Sequence, residues 1–212
     1  MSLKALARDE RSDLTAFLAT LTAEQWDAPT LCTGWRVRDV VAHMISYDEL
    51  SLAGLAGRFA QGRFLPDRVN AVALAGYNTL GPDDLLDVLK RHLEPRGLPA
   101  AFGGGVALVD GVIHHQDIRR PLGMPRPIPA ERLRPVLRGA LAAPVIRGFW
   151  RVRGLRLVAT DLDWSTGRGP EVRGPAEALL MTIAGRRGVV EELSGPGQAR
   201  LAVRIAGGGV SA

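Results

Sequence analysis

Leu21–His43 reads LTAEQWDAPTLCTGWRVRDVVAH. Two patterns meet inside it. Asp27–Gly34 (DAPTLCTG) is a loop by its proline and glycine content. After it, Val37, Val40, Val41, Met44 and Ile45 recur at helical spacing and form one apolar face, and His43 lies on that side. Working outward, this helix is expected over about 36–59, where Gly62 and then Pro66 break the pattern. Upstream, Thr22–Trp26 reads as a short extra turn. Residues 2–20 read as a helix, with Leu3, Leu6, Leu14, Phe17 and Leu18 near a 3.6-residue period.

Downstream the helical pattern returns over Asp67–Thr79. It returns again from Gly81 to about Glu94, where an early proline and two aspartates mark a helix start. Val106–Arg119 (VALVDGVIHHQDIR) is the next helix, stopped by Pro121. Pro121–Pro129 (PLGMPRPIP) is irregular, and Ala130–Leu141 is helical. The last part changes character. Gly154–Thr160 (GLRLVAT) and Ala199–Ile205 (ARLAVRI) read as strands, Asp163–Pro175 as turns and Ala176–Glu192 as a helix. The expected organisation is mainly α, with a helical bundle over 1–150 and a small C-terminal α/β element over 151–212.

The composition narrows the class. Of 212 residues, 46% are hydrophobic, enough for a proper core, whereas aromatics make up 5%, so aliphatic packing dominates. The formal charge is +5. The charges are scattered, without a like-charge run or an aromatic-interleaved basic stripe, so nucleic-acid binding is not expected. Lysine occurs only at Lys4 and Lys90, and the excess of arginine fits a high-GC genome. Cys32 is the single cysteine, which fits a reducing compartment. The charged start MSLKALARDERSDL does not read as a signal peptide, and no stretch is apolar enough for a membrane span. A cytoplasmic location is expected.

Chemistry points to the histidines. Asp110 and His114 stand four residues apart in one helix, so both side chains face the same way one turn apart and can reach one cation. A third ligand from another helix would make an open His/His/carboxylate site, the pattern of catalytic zinc, which also suits Ni, Co, Fe or Mn. Spacing alone does not bring His43 to the other two, and an acid–histidine pair at this spacing is also a common surface pair. His115 points about 100° away around the helix and is either a supporting or a solvated group. Asp117, three residues past His114, is placed to accept from its ring. Tyr47, one turn after His43, lines the pocket or the core. Arg119 and Arg120 either recognise a carboxylate or finish a helix end. His92 reads as structural, and Trp35 and Trp164 as packing.

Three stretches resemble the DinB/YfiT-like superfamily, and more closely its actinobacterial branch of mycothiol-dependent maleylpyruvate isomerase-like proteins. They are Leu21–His43, with its Leu-Cys-x-Gly-Trp turn, Asp110–Gly123 (DGVIHHQDIRRPLG), and Gly154–Gly185, with its Arg-Leu-Val-Ala-Thr-Asp-Leu-Asp-Trp run. The resemblance implies an up-down-down-up four-helix bundle with a metal between helices. Its ligands would be His43, Asp110 and His114. It also implies mycothiol as cosubstrate. The family pattern has glutamate where this chain has Asp110, a loss of about 1.3 Å of reach.

The function this implies is a divalent-metal-dependent transferase or isomerase, with zinc the first expectation. It would use mycothiol on a small electrophile. A metal-dependent hydrolase and a non-catalytic binding or sensing bundle are the alternatives. The sequence names no catalytic residue. The expected partners are a small-molecule thiol and a small-molecule substrate, without nucleic acid or membrane. Cys32 is set aside as nucleophile because no activating base adjoins it in sequence.

Overall fold

The structure is a computed structural model that describes residues 1–48 and 50–207. It divides into two compact units, Met1–Pro125 and a second from Arg126 onward, each described by itself. The expected bundle over 1–150 put the helix after Pro129 with the first part. By internal packing that helix groups with the second unit.

The first unit contains α1 (Leu3–Leu18), α2 (Ala23–Trp26), α3 (Val37–Ile45), α4 (Leu52–Gln61), α5 (Pro66–Ala75), α6 (Pro82–Arg91) and α7 (Ala101–Arg119). Local chemistry sets the starts. Thr22 and Gln25 cap α2 reciprocally, Asp39 accepts from the Arg36 amide at α3, and Asp84 accepts from the Gly81 amide ahead of Pro82 in α6. α1, α3, α6 and α7 form the bundle, each packed on two of the others. Leu14 and Leu18 of α1, Val37, Val41 and Ile45 of α3, Leu85 and Leu89 of α6 and Ile118 of α7 share its core. At the start of α7, Gly104 has φ of +89°, and a Cβ there would stand 2.8 Å from the Lys4 Cα, so glycine lets α7 meet α1 backbone to backbone.

The helix expected over 36–59 is two helices. α3 ends at Ile45 and α4 begins at Leu52. The Ser46 hydroxyl donates to the His43 carbonyl, and Ser51 caps α4 by accepting from the Gly54 amide. Between them Asp48 is drawn into the core by Arg11 of α1. The two groups make a bidentate pair of 2.9 and 3.0 Å, and the Arg96 amide donates to the same carboxylate.

The second unit contains α8 (Ala130–Ala142), α9 (Gly148–Val152), β1 (Arg156–Ala159), β2 (Ser165–Gly167), β3 (Glu171–Gly174), α10 (Ala176–Ile183) and α11 (Gln198–Gly207). The sheet order is β2-β1-β3, with β2 antiparallel and β3 parallel to β1. The stretch expected to be turns therefore supplies two short strands. The helix expected to run to Glu192 stops at Ile183, because Gly185 and Gly188 both take positive φ; a 3-10 turn follows at Val189–Glu192. Ala199–Ile205, expected as a strand, lies in α11. Leu201 and Ile205 are buried four residues apart, whereas Val203, which a strand would place on the same face, is 73% exposed. No helix among the described residues is long and apolar enough to cross a membrane.

Candidate metal centre

The sequence sets His43 in the last turn of α3, and Asp110, His114 and Asp117 on successive turns of α7. The packing of α3 on α7 brings three of these together. Asp110 Oδ1 lies 3.8 Å from His43 Nε2 and 3.4 Å from His114 Nε2. The two imidazoles meet edge to face, with centroids 5.1 Å apart. Both rings are buried, whereas the Asp110 side chain keeps 35% exposure, so the cluster opens on the carboxylate side.

The donor set fits a divalent cation. Two nitrogens and an oxygen bound tetrahedrally at ordinary zinc distances stand about 3.3 Å from one another. The two contacts to Asp110 approach that spacing, so the shorter side chain still reaches both rings. All three donor atoms lie within 4.8 Å of one another.

Behind the cluster, the other nitrogen of His114 is held. Its Nδ1 is 2.9 Å from Asp117 Oδ2, and the Cys32 thiol donates to that same oxygen over 3.2 Å. Cys32 Sγ is 3.7 Å from His114 Nδ1. Cys32 and Asp117 are fully buried, and the Leu31 amide donates to the Asp117 carbonyl, which ties the loop to α7. A carboxylate on Nδ1 orients the ring and leaves Nε2 facing His43 and Asp110, the usual support for a histidine ligand. Sequence reasoning set Cys32 aside. The bases it lacks in sequence reach it from α7, and the Leu-Cys-x-Gly-Trp turn was the available signal.

Without a metal the cluster is an ion pair. Burial disfavours a charged His114, but Asp110, with hydrogen bonds from Asp110, Asp117 and Cys32, outweighs it and raises His114 well above its ordinary value. Burial likewise opposes ionisation of Asp110, and His114 and then His43 hold its carboxyl far below the usual range. Tyr47 is pushed up by burial and by the charge of Asp110, against Arg58.

Tyr47 and Trp35 flank His43 at ring distances of 5.6 and 5.1 Å. The Tyr47 hydroxyl donates to Asn70 Oδ1 at 3.2 Å, and the Arg58 guanidinium lies over its ring. His115 and Arg119 go elsewhere. His115 is fully buried against α1, with Nδ1 donating to Glu10 Oε1 at 2.9 Å and Nε2 accepting from Arg119 Nε at 2.8 Å. Arg119 also stacks on Phe17 and donates to the Met124 carbonyl. His115 is therefore not solvated, and both it and Arg119 are bound to groups outside the three-residue cluster. His92 is buried at the end of α6, where its carbonyl accepts from Arg11.

Residues 7–97 match the family model of the mycothiol maleylpyruvate isomerase N-terminal domain. This segment is similar to that domain over less than half of the chain. The matched segment includes His43 and ends before Asp110 and His114. Two solved structures share the fold over 92% of this chain and 91% of theirs, at 16% identity. One is a mycothiol-dependent maleylpyruvate isomerase, with a TM-score of 0.61, and the other a form of it with one histidine replaced by alanine, with a TM-score of 0.60. No curated protein matches the chain.

Proposed function

We propose that this protein is a divalent-metal-dependent, thiol-using transferase or isomerase acting on a small electrophile. Mycothiol is the thiol and zinc the first candidate metal, ahead of Ni, Co, Fe or Mn. The observation that carries the reading is the convergence of His43 Nε2, Asp110 Oδ1 and His114 Nε2 at one partly open point. Bound there, the cation would supply the positive charge that keeps a coordinated thiol deprotonated near pH 7.

The chain's own residues do the rest. His43, Asp110 and His114 hold the cation. Asp117 fixes the His114 ring, Trp35 and Tyr47 pack against His43, and the exposed side of Asp110 leaves the approach for a ligand. Cys32 is wholly buried behind His114, so the attacking sulfur has to come from a separate molecule. Thiol addition to an unsaturated acid, rotation about the bond made single, and elimination of the thiol isomerises the substrate with no net change of atoms. Stopping after addition gives a transferase.

The same ligands would serve a hydrolase only with a base on the open side. Among the described residues, Asp117 is behind His114 and Glu10 is committed to His115. The thiol reading is therefore preferred.

Metal analysis of protein purified without an affinity tag, beside His43→Ala, tests the site. One metal per chain in the parent and none in the variant is expected; metal retained by His43→Ala overturns the ligand set. Turnover of unsaturated acids by the loaded protein should then require mycothiol, and turnover with water alone overturns the thiol role.

A further inference from the structure

The net charge of the chain conceals a division. Up to Pro125 the sequence carries 13 basic residues against 15 acidic; from Arg126 it carries 14 arginines against 7 acids. The whole positive excess belongs to the second unit, and around α9 and α11 it is concentrated. Arg147, Arg151, Arg153, Arg200 and Arg204 gather there, and none has a carboxylate within ion-pair distance among the described residues. They crowd one another. Burial and the charges of Arg186 and Arg147 push Arg151 down, and burial with Arg200 and Arg153 does the same to Arg204. Arg204 is spread over the carbonyls of Arg151 and Arg153, so the backbone accepts bonds that acids would ordinarily take.

Large apolar side chains stand out of the same region. Phe149 is 54% exposed and Trp150 61%, packed edge to face on each other, and Arg153 lies over the Trp150 ring. Val145 and Val203 are more exposed still, at 82% and 73%. Arg147, at the start of α9, takes a left-handed φ of +57°, a conformation a non-glycine residue adopts only when its surroundings impose it.

We propose that this face of the second unit docks on an anionic phospholipid surface, its arginines meeting the headgroup phosphates and Phe149, Trp150, Val145 and Val203 entering the headgroup–acyl boundary. Aromatic residues at that boundary beside arginines that attract anionic lipid are the standard composition of a peripheral membrane contact. Two other occupants fit less well. A second copy meeting the same face across a two-fold axis would bring the unpaired arginines against themselves. A single-stranded nucleic acid would stack on Trp150 and Phe149 but would gain little from two protruding valines.

The test is cosedimentation of the full-length protein with phosphatidylcholine vesicles, with and without phosphatidylglycerol. The expected result is partition to the anionic vesicles alone, weakening with salt. Arg147→Gln and Arg153→Gln should each weaken it about fivefold at low salt. Phe149→Ser/Trp150→Ser should remove the part that resists salt, with unchanged thermal unfolding. Absence of binding to anionic vesicles overturns the proposal. So does binding undiminished in Phe149→Ser/Trp150→Ser, displacement of the vesicles by a single-stranded oligonucleotide, or a dimer in solution that the same double variant dissociates.

Discussion

Asp117 Oδ2 sits 2.9 Å from Nδ1 of His114 while Asp110 Oδ1 sits 3.4 Å from Nε2 of the same ring. One imidazole is thus gripped by two carboxylates of its own helix, one partly open to solvent and one sealed in. Only the first is a proposed ligand, so removing the second isolates the value of orientation. Asp117→Asn should lower metal affinity about ten- to a hundredfold, measured by competition with a chromogenic chelator. An unchanged affinity would mean that the His114 ring needs no such hold.

Metal uptake should expel a proton. With His114 raised well above its ordinary 6.5, the metal-free ring is an imidazolium at neutral pH, and a ligand nitrogen must be bare. The apparent affinity should rise with pH by about tenfold per pH unit for one proton released. Calorimetric titrations in buffers of different ionisation enthalpy count that proton. Equal heats in all buffers would contradict a charged His114.

The metal-free protein should respond to pH in the opposite sense. His114 is raised in the folded state, so its ion pair contributes fully below 6.5 and is lost as pH climbs through the raised value. Asp110 is lowered from 3.8, so its share is present above that value and fades only in strong acid. The melting temperature of the metal-free form should therefore fall on the alkaline side, where that of the loaded form holds, and the gap between them should widen. A gap independent of pH would remove the ion pair from the account.

Arg11 and Asp48 are 2% and 0% exposed, so breaking the pair leaves a charge buried alone. Arg11→Met should cost about 3–5 kcal/mol of stability by urea denaturation. Arg11→Met with Asp48→Leu should recover part of it, since no charge is then stranded. A double variant weaker than the single would show that the bonds to the His92 carbonyl and the Arg96 amide matter more than the charge.

Gly104→Ala combines a left-handed backbone with a Cβ driven against the Lys4 main chain. The strain alone is worth about 1–3 kcal/mol, read as a lowered midpoint in thermal unfolding. An unchanged midpoint would mean that α7 shifts off α1 freely.

The legible parts of the fold are those where a repeating period carries the signal. α1 and α6 follow apolar residues that recur every three or four positions, and Leu14, Leu18, Leu85 and Leu89 lie in the core where that pattern places them. The break between α3 and α4 hides inside such a pattern, because what turns the chain at Asp48 is Arg11, 37 positions away. The run ARLAVRI alternates as a strand would and also spaces Leu201 and Ile205 as a helix would; only burial distinguishes the two. In the site, the Asp110–His114 spacing is local and visible. The link of His43 to that pair rests on family resemblance, and the contacts of Cys32 are not legible locally because its partners His114 and Asp117 lie on α7.

The tie between Cys32 and Asp117 spans 85 positions of chain. His43 emerges from the ribosome early, but the two other proposed ligands, Asp110 and His114, and Asp117 behind His114 all come with α7, the last helix of its unit. A nascent chain that stops at residue 97, the end of the matched segment, holds one of the three proposed ligands. In the proposed site, loading with metal is therefore a late event of biosynthesis, possible only once α7 has been made.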